Sequence, residues 1–236
     1  MEKLLNTKNL PWAALIAGVL GFILALLFSV HGAASLYLLL WVLTVVILGL
    51  LFWFTQELKQ APKYSFNFPP SLWGAVGTAA AAVGILTASI NKIFYVTDAL
   101  AALDVILGFS SVAALVFLTM CRRKGDHPSA IFHAIVCVYL MVDLVSMYRL
   151  RSADPQVWEY CFSLLASVAL MLGCYYDAEF AANNGHRNKH TLAHMAAVYL
   201  CLLSLPTADN PIFYLTMAVW MFTNLCNLTP MPRNKR

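Results

Sequence analysis

The stretch HRNKHTLAHM carries three histidines at spacing four, His186, His190 and His194. On a helix His190 and His194 lie one turn apart on the same face, where two imidazoles can reach one ion. Asp177 and Glu179 stand just upstream. Two imidazoles and a carboxylate suit zinc with an open fourth position, the arrangement of a hydrolytic site. A different chemistry belongs to Asp104 and Asp143, carboxylates set inside long apolar stretches. Ionisable groups at membrane depth are costly and mark function by default. Two acids at one level can hold a cation or share a proton, because like charges in low dielectric push one of them towards its neutral form.

The elements that position these groups follow from composition. Apolar residues make up 61% of the 236 and charged residues 11%, where soluble domains carry roughly a quarter charged. A globular fold cannot hide that much apolar surface, whereas a bilayer covers it. The reading is an all-α, polytopic integral membrane helix bundle in a single transmembrane domain. The six cysteines are scattered singly, mostly within apolar runs, so neither a disulfide framework nor a thiolate metal site is indicated.

At about 20 apolar residues per crossing, eight spans are predicted: 11–30, 35–54, 71–90, 98–120, 128–149, 155–181, 190–206 and 211–228. Lys3 and Lys8 before the first span imitate a signal peptide, but the apolar stretch is long enough to span and lacks a clean cleavage site, so it reads as a retained helix. Pro11, Pro70, Pro128, Pro155 and Pro211 fall at or near span starts, and Asp154 with Pro155 gives a cap followed by proline. Basic residues alternate by loop. Lys3, Lys8, Lys59, Lys63, Arg122, Arg123, Lys124, Arg187, Lys189, Arg233, Lys235 and Arg236 fall on one side, and only Lys92, Arg149 and Arg151 on the other. That bias puts both termini in the cytoplasm. It also explains the net charge of +4 without nucleic acid. Trp12, Trp53, Trp73 and Trp158 fall at predicted interfaces, as an aromatic belt does.

Two polar levels emerge. Asp104 lies six residues into the fourth span from Asp98, and Asp143 six before Arg149, so each sits roughly 9 Å below its outer helix end. Tyr139 lies one turn below Asp143, with Ser146 and Tyr148 above. The candidate ion or substrate group is therefore Asp104, Asp143, Tyr139 and Arg149. Its bland alternative is a salt bridge to Arg149, Arg151 or Lys92. At the cytoplasmic level His133 and His194 share a depth, with Asp177 and Glu179 ending the sixth span and Asn224 and Asn227 near the inner end of the eighth. His133, His190, His194, Asp177 and Glu179 are the metal candidates, for zinc or for a haem between His133 and His194. There too Arg187 or Lys189 could neutralise the acids, and the cluster could be no more than solvated helix ends. His186 reads as loop and His31 as a water-facing outer turn.

The H-x-x-x-H pair on a seventh span resembles the progestin/adipoQ receptor and haemolysin III group of membrane hydrolases. That resemblance is confined to His190 and His194; the second and third spans hold no histidine, so the activity does not carry over. The stretch DPQVWEYCFSLLASVALMLGCYYDAEFA is similar to uncharacterised multi-pass proteins of clostridial bacteria, which implies a Gram-positive plasma membrane and no known activity. No loop is long enough for a soluble catalytic domain, so function is expected in the membrane or at its surfaces. The expectation is a small-solute, cation or proton transporter or channel. The alternatives are a metal-dependent intramembrane hydrolase, and a non-catalytic sensor or subunit that assembles with itself or another membrane protein.

Overall fold

The computed structural model describes residues 9–31, 34–56, 58, 60–94, 96–151 and 157–229. Asp154, Pro155, Lys3, Lys8, Lys59 and the three C-terminal basic residues lie outside these, as do the side chains of His31 and Trp158. Nine helices are found among the described residues: α1 (Leu10–His31), α2 (Ala34–Thr55), α3 (Tyr64–Asn67), α4 (Leu72–Ile93), α5 (Ala99–Lys124), α6 (Ala130–Arg151), α7 (Val157–Ala181), α8 (Arg187–Ser204) and α9 (Pro211–Asn227). Six of them, α1, α2 and α4 to α7, are long and apolar enough to cross a membrane.

Local chemistry sets the ends. Ser71 accepts from the Gly74 N–H, Asp98 from the Ala101 N–H, and Asn210 from the Phe213 N–H ahead of Pro211, each satisfying a donor that the first turn leaves free. Gly125 closes α5 at φ 80°, a left-handed cap that a side chain would strain.

Large apolar side chains face outwards. Trp53, Trp73, Phe94 and Leu150 are each more than 70% exposed, a surface that water would not tolerate and lipid tails cover. The chain is a multi-pass integral membrane protein.

Helices α4, α5, α6, α7, α8 and α9 pack in that order into a ring that closes where α9 meets α4. Leu115, Tyr139, Leu140, Leu170 and Met195 are among the side chains that fill the core between them, all fully buried. Helices α1 and α2 lie outside the ring and pack on α8. Gly21 brings α1 against Tyr199 and Leu203, and Thr44 of α2 meets the Tyr199 hydroxyl at 2.9 Å. This cover explains why α8, which opens with Arg187, Asn188, Lys189 and His190, is less apolar than its neighbours. Protein rather than lipid surrounds it.

The small residues of α4 suggest a helix at the centre of the bundle; instead it forms one wall of the ring, packed against α5 and α9. Side chains added at Gly77 and Gly84 would collide with Thr223 and Thr216 of α9, so these glycines set how closely the two helices approach.

All described basic-loop residues gather at one end of the bundle. There Ser71 N–H donates to the Arg122 carbonyl, Gly185 N–H to Pro62, and Thr229 N–H to Asn67. The short helix α3, absent from the predicted elements, plugs this basic end. Tyr64, Phe68, Phe180 and Leu228 form its own apolar cluster. Lys92, Arg149 and Arg151 occupy the opposite end.

Candidate functional site

At the opposite end α5 and α6 are neighbours, and Asp104 and Asp143 converge. What joins them is Lys92, from the last turn of α4. Its Nζ donates to Asp104 Oδ2 at 2.7 Å and to Asp143 Oδ1, and lies 5.6 Å from the centroid of the Tyr139 ring. Both carboxylates are buried, and Asp104 Oδ1 has no hydrogen-bond partner among the described residues. One ammonium thus serves two acids.

Arg149 does not join this group. It pairs with Asp98 at 2.6 Å on the exposed rim, where the Ala101 N–H, with Arg149 adding to it, holds the Asp98 carboxyl below its ordinary pKa. Arg151 pairs with Asp209 and lies over the Tyr160 ring.

A cavity of about 700 Å³ opens beside the triad. Lys92, Tyr139 and Asp143 form part of its wall. Ala88, Phe94, Met147, Leu150, Phe213 and Tyr214 make it largely apolar, and Asn91, Ser163, Asp209 and Asn210 supply scattered polar groups. Further in, Tyr214 and Ser167 hydroxyls meet at 3.3 Å, and Tyr214 donates to the Ser163 carbonyl at 3.4 Å.

At the basic end, Asp177 of α7 receives two imidazoles from α8. His190 Nε2 is 2.8 Å from Oδ1 and His194 Nε2 is 3.3 Å from Oδ2. The two rings stack with centroids 3.8 Å apart, as the one-turn spacing requires. Asn224 Nδ2 of α9 donates to Asp177 Oδ2 at 3.1 Å, while its Oδ1 accepts from Arg122 of α5 at 3.2 Å. The Arg122 guanidinium lies 4.3 Å from the Phe68 ring centroid and 5.5 Å from that of Tyr64. Asp177, His190 and His194 are at most 1% exposed, with α3 beneath them.

Two of the sequence-predicted metal candidates stand apart. Glu179 pairs with His186 at 3.1 Å outside the cluster. His133 is buried on α6; among the described residues its Nδ1 has no partner, and it lies outside the group whose donor atoms are within 4.8 Å of one another. His194 has both ring nitrogens engaged, on the His190 carbonyl and on Asp177, so it does not present one to His133 across a haem. Neither Arg187 nor Lys189 neutralises Asp177; Arg187 is buried and donates to Asn67 Oδ1 at 3.1 Å and to the Thr229 carbonyl, tying the plug to α8.

Sequence reasoning missed Arg122, which reads as one more positive-inside charge. The only available signal is that its side chain stands at the start of the RRK run, two residues and about 3 Å nearer the membrane than Lys124.

A six-helix ring with a largely apolar cavity at one end and a sealed polar knot at the other defines a membrane protein built around an internal axis. No family model matches the chain, and no curated protein and no solved structure matches it.

Proposed function

We propose that the chain is a transporter that exchanges a small organic cation against protons, with Lys92, Asp104 and Asp143 as its ion-binding group. One observation carries this reading: two buried carboxylates share a single lysine at the wall of the cavity. With both acids ionised the triad carries one uncompensated negative charge in a low-dielectric setting. That is costly unless a proton or a second cation joins it. The cavity wall supplies the rest of the recognition. Phe94, Phe213 and Tyr214 offer aromatic surface to an apolar body, and Asp143 and Asp209 offer charge.

The same reading fixes the frame. Helices α8 and α9, with 18 and 17 residues, are about 26 Å long or slightly more and complete eight spans when counted with the six apolar ones. The basic end is cytoplasmic by the charge bias, so both termini lie inside and the cavity faces outwards. The resemblance of residues 154–181 to clostridial proteins supports a bacterial plasma membrane as the chain's location. A homo-oligomer or membrane partner would bind through its lipid-facing helices. An intramembrane hydrolase at Asp177 is disfavoured, because catalysis at a metal needs an open coordination position and access for water, and these donors are enclosed.

The experiment is flux in proteoliposomes carrying the purified chain, with a panel of quaternary ammonium and phosphonium cations and an imposed pH gradient. Uptake should accelerate at least tenfold over protein-free vesicles when the interior is acidic, and should dissipate the pH gradient. Uptake equal to that of empty vesicles for every cation, with no proton movement, would remove the reading.

A further inference from the structure

We infer that Asp177, His190 and His194 form a buried binding site for one divalent transition-metal ion of the zinc class, which staples α7 to α8 at the basic end. His194 Nδ1 lies 2.9 Å from the His190 carbonyl oxygen. A carbonyl only accepts, so Nδ1 carries the hydrogen and Nε2 is the nitrogen that faces Asp177 Oδ2, at 3.3 Å. The same oxygen accepts from Asn224 Nδ2, whose amide Arg122 orients by occupying its Oδ1. A buried carboxylate faced by two imidazole nitrogens calls for a positive charge among them.

The surroundings favour a metal ion in that role. His190 Nε2 is aimed at the same carboxylate, 2.8 Å from Oδ1, and donor atoms of the three residues lie within 4.8 Å of one another. Bonds of about 2.0–2.2 Å in a tetrahedral site hold donors about 3.4 Å apart. His194 Nε2 stands 3.3 Å from Oδ2 and His190 Nε2 2.8 Å from Oδ1, each on its own oxygen of the carboxylate, so a small turn of the Asp177 side chain brings one oxygen into reach of both. The hydrogen bond from His194 Nδ1 to a backbone carbonyl is also the support that fixes a ligating imidazole in its metal-facing tautomer. Asn224 does the same for the carboxylate. Two imidazoles and one oxygen suit zinc, cobalt and nickel rather than calcium or magnesium. Three protein donors would leave one tetrahedral position for an enclosed water, and enclosure under Phe68, Phe180 and α3 keeps substrate from it, which makes the site structural rather than catalytic.

This inference does not depend on transport, and its test contains no flux measurement. The full chain in detergent, stripped with a chelator, is titrated with Co²⁺. The expected result is one Co²⁺ per chain with the intense visible ligand-field bands of four-coordinate cobalt, bleached by zinc. Asp177→Asn and His194→Gln should lose these bands, while Glu179→Gln should keep them. Because Asp177 is buried, its variants can fail to fold. The unfolding midpoint of the wild-type chain therefore supplies the second readout and should rise steadily with free zinc. A wild-type chain that takes up no stoichiometric cobalt, or shows only the weak bands of six-coordinate surface binding, would overturn the site. A midpoint indifferent to zinc, or bands that persist in a folded Asp177→Asn variant, would do the same.

Discussion

Lys92→Met is expected to cost the folded bundle about 3–5 kcal/mol, the range measured when one partner of a buried ion pair is removed. Lys92 is the sole cation within salt-bridge distance of Asp104 and Asp143 among the described residues, and both acids are buried. Without it two carboxylates face each other across a few ångströms of low dielectric. Each must either take a proton or draw water into the ring. The loss should therefore shrink in acid, since protonation removes the repulsion that the lysine balanced. It should also shrink in the double variant Lys92→Met/Asp143→Asn, which deletes one of the two charges. Reversible unfolding of the three proteins in mixed detergent, at neutral and acidic pH, measures both effects. If Lys92→Met unfolds like the wild type at neutral pH, the triad is not a coupled unit and the exchange mechanism loses its basis.

Gly77→Leu carries the second large expected effect, about 3 kcal/mol or more, because overpacking at a tight helix contact forces the backbones apart. A side chain at Gly77 would run into the Thr223 hydroxyl and Cβ, and one at Gly84 into the same atoms of Thr216. The glycines are seven residues apart, and so are the threonines, so two successive contacts of one seam are built alike. Neither threonine can swing away without loss: Thr223 donates to the Trp220 carbonyl at 2.9 Å, and Thr216 to its own helix in the same manner. The seam closes the ring, and beyond it α4 and α9 continue as walls of the cavity. A milder pair makes the test quantitative. Gly77→Ala should destabilise by about 1–3 kcal/mol, and adding Thr223→Ala should recover much of that, giving a coupling that independent sites would lack. Additive losses from the two changes would place the constraint elsewhere.

Much of this architecture is legible in the sequence for a simple reason. Lipid and water impose opposite demands, so span limits emerge from hydropathy, and the alternation of charge by loop gathers the described basic-loop residues at one end. Observed boundaries at 34–55 or 211–227 stay within a few residues of the predicted ones. Depth is legible too, because helix rise is constant, and residue count alone sets Asp104 and Asp143 at one level. Packing order is different. Nothing in the local pattern says that α9 returns to α4, and without that closure Asn224 and Arg122 have no reason to meet Asp177. The small face of α4 signals close contact but not which partner receives it. Helix α3 is only four residues long, too short for any periodicity to register. The plug it forms is held by Arg187 and Asn67, whose meeting is a tertiary fact. Arg149 and Glu179 illustrate the converse limit. Arg149 ends its helix above the level of Asp143, and Glu179 follows Asp177 by two residues; helical phase turns both to the rim, where Asp98 and His186 take them up.

The most direct test of the central claim is cation-driven proton movement in proteoliposomes containing either the wild-type chain or Asp143→Asn, with matched incorporation and unchanged unfolding behaviour. The amide keeps the shape of the side chain and can still accept from Lys92, but it carries no charge and takes no proton. The account predicts that exchange falls by about a hundredfold or more, the loss of a charge on which coupling depends, while the protein remains folded. Asp143→Asn vesicles that exchange cation for protons at the wild-type rate would contradict it.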